Sequence, residues 1–484
     1  MAREMIGQEA STPATAPAPP PGSDGDLAWL PAWRAAELIA RKELSPVELI
    51  DHVLERIEAL DPVLKAFSHL DAAGAREAAR RAEAAVLKGE PLGRLHGVPT
   101  AVKDHIPVAG MPMNTHGKGE RITRDGHFGV ERLRADGAII LGLNTMMGAG
   151  GGGGMQSAAV FNPFNWEAEA RNPWNPDMVP GWSSSGGAAA VASGMLPFTI
   201  GSDGGGSTRL PAAYSGVVGM HPTGGLIPEL NYLAPIPPAG ITVGPLARDV
   251  RDAALVTRIM AGPDGRDPFV IQADPGDYLA EIDAGVEGMR FAWTDDYGFA
   301  GRYAAAESPD LIALVRNQAE QFRDLGATVE TTDECWEDFW PGRMAQWMTF
   351  FRTEGLPMPN EDEMRSGFET RGRNWDRFRK LFGSFDLLLS VTSQRIARPI
   401  AEWEAAWTTE GPNYPNGNFL GTYCSHTDMF NWLKFPAISI PCGFIEGLPV
   451  GLQIVGPPGA EARIFRAANA FQKAFARNER PPIS

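Results

Sequence analysis

From Gly97 to about Gly262 the chain alternates short apolar runs with glycine-rich turns, and this alternation restricts its fold more than any other feature. Residues 98–102, 138–141, 198–200 and 217–218 read as strands bounded by turn residues. The stretch 186–194, GGAAAVASG, reads as a tightly packed helix that begins straight after three consecutive serines. Strands joined to helices through glycine loops predict an α/β sheet.

The flanks are helical. Residues 33–59 place Leu38, Ile39, Val47, Ile50, Val53, Leu54 and Ile57 at helical spacing. Ser45-Pro46-Val47-Glu48 reads as an N-cap, a proline at the first helical position and an acid at the third. A second helix is predicted over 72–88, with Gly89 just past its end. Further on, 309–325 reads as an amphipathic helix ending at Gly326, 386–391 and 452–455 as strands, and 460–476 as a helix. Residues 1–26 are rich in Pro and Ala and have little to bury, which predicts a disordered leader. The rest, 27–484, reads as one domain: an N-terminal helical layer (27–92), a core (93–262) and, at 330–380, a cap or substrate-side insertion.

Charge excludes one class of partner. With 43 basic and 59 acidic residues the net charge is −16, so the chain lacks the basic footprint that nucleic acid requires. No apolar run reaches 18 residues, which predicts no membrane span. Cys335, Cys424 and Cys442 are odd in number and form no Cys-x-x-Cys or Cys/His metal spacing. They read as reduced thiols of an intracellular, cytoplasmic protein.

Three segments carry chemistry: Ala101-Val102-Lys103-Asp104, Gly181-Trp182-Ser183-Ser184-Ser185-Gly186-Gly187, and Gly201-Ser202-Asp203-Gly204-Gly205-Gly206-Ser207-Thr208-Arg209. Each has a plainer explanation when read alone. The glycines before Ser207 suit a flexible loop, the serine run suits a helix N-cap, and Lys103 suits a strand end at the surface. Together they offer a nucleophile, a relay hydroxyl, a base and backbone N–H donors, a set that performs acyl transfer without metal or cofactor.

These segments resemble the amidase signature family, most densely over 171–225, with further matches in GVPTAVKDHIPVAG, GPLARDVRDAALVTRIMAG and FPAISIPCGFIEGLPVGLQIVG. The resemblance implies a central mixed, mostly parallel β-sheet covered by helices on both faces. It implies Ser207 as nucleophile, Ser183 as relay serine preceded by a cis peptide, and Lys103 as base. Gly204, Gly205 and Gly206, with Ser207, would supply the oxyanion hole, and Asp203 and Arg209 would hold that loop. The implied activity is hydrolysis of a small-molecule amide, broad over aryl and aliphatic amides and extending to carbamates (a urethanase) and esters. Self-association is common in such enzymes, so a homo-oligomer fits.

Two departures from the family pattern stand out. Trp182 precedes the relay serine where glycine is usual, and its indole is expected to pack nearby. The run Gly148–Met155, GAGGGGGM, replaces an Asn-Met-x-Glu-Phe type segment. It reads either as a mobile loop that admits bulky substrates, with Gly153, Gly154 and Met155 on the substrate side, or as a surface insertion. Of 13 tryptophans, Trp336, Trp340, Trp347 and Trp375 cluster, which suits either an aryl pocket or core packing. Two alternatives stand beside the amidase: the glutaminase subunit of a tRNA-dependent amidotransferase, which would carry its own segment in place of the glycine run, and a binding protein without turnover.

Overall fold

The computed structural model describes residues 26–113, 121–147, 167–229, 240–351, 359–410, 418–475 and 479–484. The leader and the glycine run lie outside them. Strands, numbered in chain order, are β1 (Phe67–Leu70), β2 (Pro99–Lys103), β3 (Pro112–Met113), β4 (Arg121–Ile122), β5 (Ile139–Asn144), β6 (Phe198–Asp203) and β7 (Val218–His221). They continue as β8 (Thr242–Ala247), β9 (Arg290–Trp293), β10 (Thr328–Thr331), β11 (Leu387–Val391), β12 (Ala437–Ile445) and β13 (Leu448–Val455). All but β3 and β4 join one sheet in the order β1-β5-β2-β6-β8-β7-β12-β13-β11-β9-β10.

The sheet is mixed as expected, but not mostly parallel. Among the described residues, only β5–β2, β2–β6, β11–β9 and β9–β10 pair in parallel; the other neighbours run antiparallel. A tight hairpin is one reason: Glu446 and Gly447, at φ 52° and 76°, reverse the chain between β12 and β13. Every residue of β2, β6, β7, β8, β11 and β13 is buried, which requires cover on both faces. The edge strands β1 and β10 instead keep exposed positions.

The cover comes from α1 (Ala32–Ala40), α2 (Pro46–Leu64), α3 (Ala72–Lys88), α4 (Phe128–Ala135), α5 (Ser185–Ala192), α6 (Arg209–Ser215) and α7 (Val250–Met260). After them follow α8 (Ser308–Glu320), α9 (Trp340–Phe351), α10 (Glu361–Leu381), α11 (Ile400–Glu410), α12 (Asn418–Cys424), α13 (Asp428–Leu433) and α14 (Glu461–Ala474). Local signals account for several ends. Ser45 Oγ accepts the amides of Val47 and Glu48 at the start of α2, and Gly89 closes α3 in the left-handed region. The predicted helix 309–325 is α8 continued by a 3₁₀ segment to Gly326. All eight residues of α5 are buried. A Cβ on Gly186 would lie 2.3 Å from the Ala66 carbonyl oxygen, so this helix seats against the sheet only with glycine there. The Trp-rich region, read from the sequence as a cap or substrate-side insertion, forms α9 and α10, two helices that pack on each other.

Candidate active site

Lys103 is the last residue of β2, and Ser202 and Asp203 close its parallel neighbour β6. Parallel strands release their loops at the same sheet edge, which brings the two segments together. The serine run meets them where it turns into α5. Ser183 Oγ lies 2.7 Å from Lys103 Nζ, and the Trp182–Ser183 peptide bond is cis. The amide of Ser184 donates to the Ser207 carbonyl at 3.2 Å, tying the serine run to the glycine loop. Ser183 is buried, whereas Ser207 is half-buried.

Lys103 is 1% exposed. Burial penalises its ammonium and brings the pKa to about 7, against the opposing pull of the Asp203 carboxylate. Nζ is also within reach of Ser202 Oγ at 3.0 Å and the Ser202 carbonyl at 3.3 Å.

The glycine loop is aimed through its carbonyls. In a trans peptide the C=O and the following N–H point in opposite directions, so pinning one turns the other. Asn431 Nδ2 donates to the Asp203 carbonyl at 2.9 Å, Arg343 Nη2 to the Gly204 carbonyl at 2.6 Å, and the Leu210 amide to the Gly206 carbonyl at 2.7 Å. The amides of Gly204, Gly205 and Ser207 are thereby turned away from those anchors. Among the described residues, no acceptor is bonded to these three amides. Gly206 differs. Its amide donates to Asp203 Oδ1 at 2.6 Å, and Thr427 Oγ1 donates to the preceding Gly205 carbonyl at 2.6 Å. The Gly206 N–H, expected in the oxyanion hole, is thus engaged by the Asp203 carboxylate and braces the loop.

Asp203 and Arg209 hold this loop, as the resemblance implies. Arg209 Nε and Nη2 donate to the Asp203 carboxylate at 2.9 and 3.0 Å, with both side chains fully buried. Burial alone would raise the Asp203 carboxyl, but the Arg209 charge and donors around it hold it well below the usual carboxylate range. Arg209 also reaches Gln453 Oε1, Asn431 Oδ1 and the Thr427 carbonyl. Arg343 in turn pairs with Asp428 at 2.8 Å, both buried. Arg343, Thr427 and Asn431 have no local sequence signal, being far from the loop in the chain. His105, two residues after Lys103, is a missed neighbour that lies close by in the chain: its Nε2 sits 2.8 Å from Ser202 Oγ.

The aromatic expectation divides. Trp336 and Trp340 are core residues, Trp336 stacking on Phe378 with centroids 4.5 Å apart, and Trp375 packs on Phe435. The side chain of Trp347 and residues Gly153, Gly154 and Met155 lie outside the described set. Trp182 is half-buried beside Ser183 and meets Trp403 edge-on at 6.0 Å, and Trp403 rests on Tyr423 at 4.5 Å. Among the described residues, no group of His, Cys, Asp or Glu is arranged to hold a metal ion, the three cysteines are free, and no helix is long and apolar enough to cross a membrane.

Comparison with known proteins gives this geometry a context. The Amidase family model matches residues 48–337 and 348–465. The chain is 32% identical to the acylamidase of Rhodococcus erythropolis, over 93% of this chain and 96% of that one. It is 30% identical to a glutamyl-tRNA(Gln) amidotransferase subunit of Moorella thermoacetica, over 94% and 99%. Its structure superposes on a bacterial aryl acylamidase of the amidase signature family with a TM-score of 0.77 at 27% identity, covering 94% of this chain and 98% of that one. Matched over most of its length by the family model and by relatives of this similarity, the chain belongs to the amidase signature family.

Proposed function

We propose that the protein hydrolyses small aryl and aliphatic amides, and carbamates and esters of the same shape, through an acyl-enzyme on Ser207. One observation carries the reading: a buried lysine whose pKa is about 7 lies 2.7 Å from the hydroxyl of a serine tied to a glycine loop whose Gly204, Gly205 and Ser207 amides bond no acceptor among the described residues. A lysine near its ordinary value of about 10.4 would be an ammonium at neutral pH and no base. Neutral Lys103 takes a proton from Ser183 as Ser183 takes one from Ser207, and Ser207 Oγ attacks the carbonyl carbon. The oxyanion receives N–H groups of Gly204, Gly205 and Ser207. Ser183 then protonates the leaving nitrogen, the C–N bond breaks, and water releases the acid by the same relay.

The choice of aryl and apolar substrates is supported by the half-buried Trp182 beside the relay serine, held edge-on against the buried Trp403, and by the acylamidase relatives. A second reading is favoured by the similarity to amidotransferase subunits. In that case the substrate is glutamine and the protein works within a complex. A hydrolysis screen with chromogenic anilides, aryl carbamates and glutamine separates them. Turnover of anilides by the isolated chain supports the first reading; activity on glutamine alone, and only with co-purified partners, overturns it.

A further inference from the structure

Among the described residues, Lys103 Nζ has three oxygen neighbours: Ser183 Oγ at 2.7 Å, Ser202 Oγ at 3.0 Å and the Ser202 carbonyl at 3.3 Å. An ammonium has three protons to donate, whereas the neutral amine has two and a lone pair. For that lone pair to face Ser183, both N–H groups must be accepted by Ser202, one at its carbonyl and one at its hydroxyl oxygen. The hydroxyl carries one proton of its own. Directed at Nζ, it would occupy the lone pair and leave Ser183 without a base. Among the described residues, the other polar neighbour of Ser202 Oγ is His105 Nε2, at 2.8 Å. His105 is buried in the turn that leaves β2. Burial first, and the adjacent Lys103 charge second, push its pKa well below the usual imidazole range, so it is a neutral ring with one nitrogen able to accept.

We infer that His105 is a positioning residue: its Nε2 accepts the Ser202 hydroxyl proton, so Ser202 presents only acceptors to Lys103 and the lysine lone pair is left for Ser183. The inference rests on the proposed role of Lys103 as base. It serves both charge states. The neutral amine spends its two protons on Ser202 and takes the third from Ser183. The ammonium so formed finds three acceptors already in place, and it returns that proton to Ser183 when the leaving group needs it. The hydroxyl of Ser202 never has to turn.

Replacing His105 separates this from a packing role. His105→Leu removes the acceptor, and His105→Gln supplies one in its carbonyl. With an anilide substrate, His105→Leu is expected to lower kcat about 10²-fold with KM within about twofold, and His105→Gln to stay within about tenfold of the parent. In a Ser202→Ala background, His105→Leu should add no further loss, because it acts through the missing hydroxyl. Equal kcat in the Leu and parent proteins, or additive losses in the double variant, overturns the inference. A readout independent of the folding of the Leu variant is the imidazole nitrogen shift in ¹⁵N-histidine-labelled parent protein, assigned by the signal that His105→Gln lacks. A proton on Nδ1 supports the inference, and a proton on Nε2 overturns it. If instead the parent protein hydrolyses no amide, or Ser207→Ala hydrolyses it equally well, the reading of the triad fails rather than that of His105.

Discussion

Arg343 offers a perturbation in which stability and catalysis part company. Its guanidinium pairs with Asp428 at 2.8 Å and donates to the Gly204 carbonyl at 2.6 Å, all in the interior. Arg343→Met leaves the Asp428 carboxylate buried without its cation, a loss of about 3–5 kcal/mol. At about 2.1 cal/mol/K per residue, unfolding a chain of 484 residues carries an entropy near 1 kcal/mol/K, so Tm should fall by about 3–5 °C. The same substitution frees the Gly204 carbonyl and with it the direction of the Gly205 amide, so kcat should fall about 10²-fold, the effect of one lost oxyanion donor. Adding Asp428→Leu removes the orphaned charge, and replacing a buried pair by apolar groups is close to neutral. The double variant should therefore recover most of the Tm and none of the kcat. Thermal melts and anilide kinetics on the three proteins decide it. If kcat returns together with Tm, Arg343 supports the fold alone and does not set the direction of the peptide.

Three further outcomes follow from the same geometry. Ser207→Ala should abolish amide hydrolysis, and Ser183→Ala and Lys103→Ala should each come close to that, since the groups act as a unit; full activity in any of them in a single-turnover anilide assay refutes the assignment. Because Lys103 must be neutral to act and its pKa is depressed to about 7, kcat/KM should be flat above that pH and fall about tenfold per unit below it, a profile measurable with a substrate that does not itself titrate. Gly206 has φ +129°, and a Cβ added there would meet Thr427 Oγ1 at 2.4 Å, so it should tolerate alanine far less well than Gly205, where the nearest atom is 3.3 Å away; comparable kcat and Tm for the two alanine variants would contradict this.

Legibility follows the range of each interaction. Ser45 with Pro46, and Gly89, mark helix ends because capping involves residues three or four apart, and both are readable in the sequence. Strands β8 and β12 escape such a reading because Pro245 and Pro441 lie inside them, and proline argues against a strand. In β12 the fold absorbs the proline at an irregularity in its register with β13. The four antiparallel pairings around these two strands are invisible for the same reason. Lys103, Ser183 and Ser207 are legible only as a set, since each alone suits a plainer role.

What the motif does not contain is the aim of its amides. Glycines permit the loop many directions; they select none. Selection comes from donors 139 and 228 residues further along the chain, Arg343 to the Gly204 carbonyl and Asn431 to the Asp203 carbonyl, with Thr427 on Gly205. Arg343 stands on α9, in the region expected to form a cap, whereas Asn431 stands on α13 and Thr427 just before it, so that region supplies one of the hands on the glycine loop. A relative that kept every glycine and serine but lost these donors would still match the motif, yet with its amides unaimed it would hydrolyse amides poorly. The direction of the loop amides is thus set by what grips the carbonyls behind them rather than by the glycines themselves.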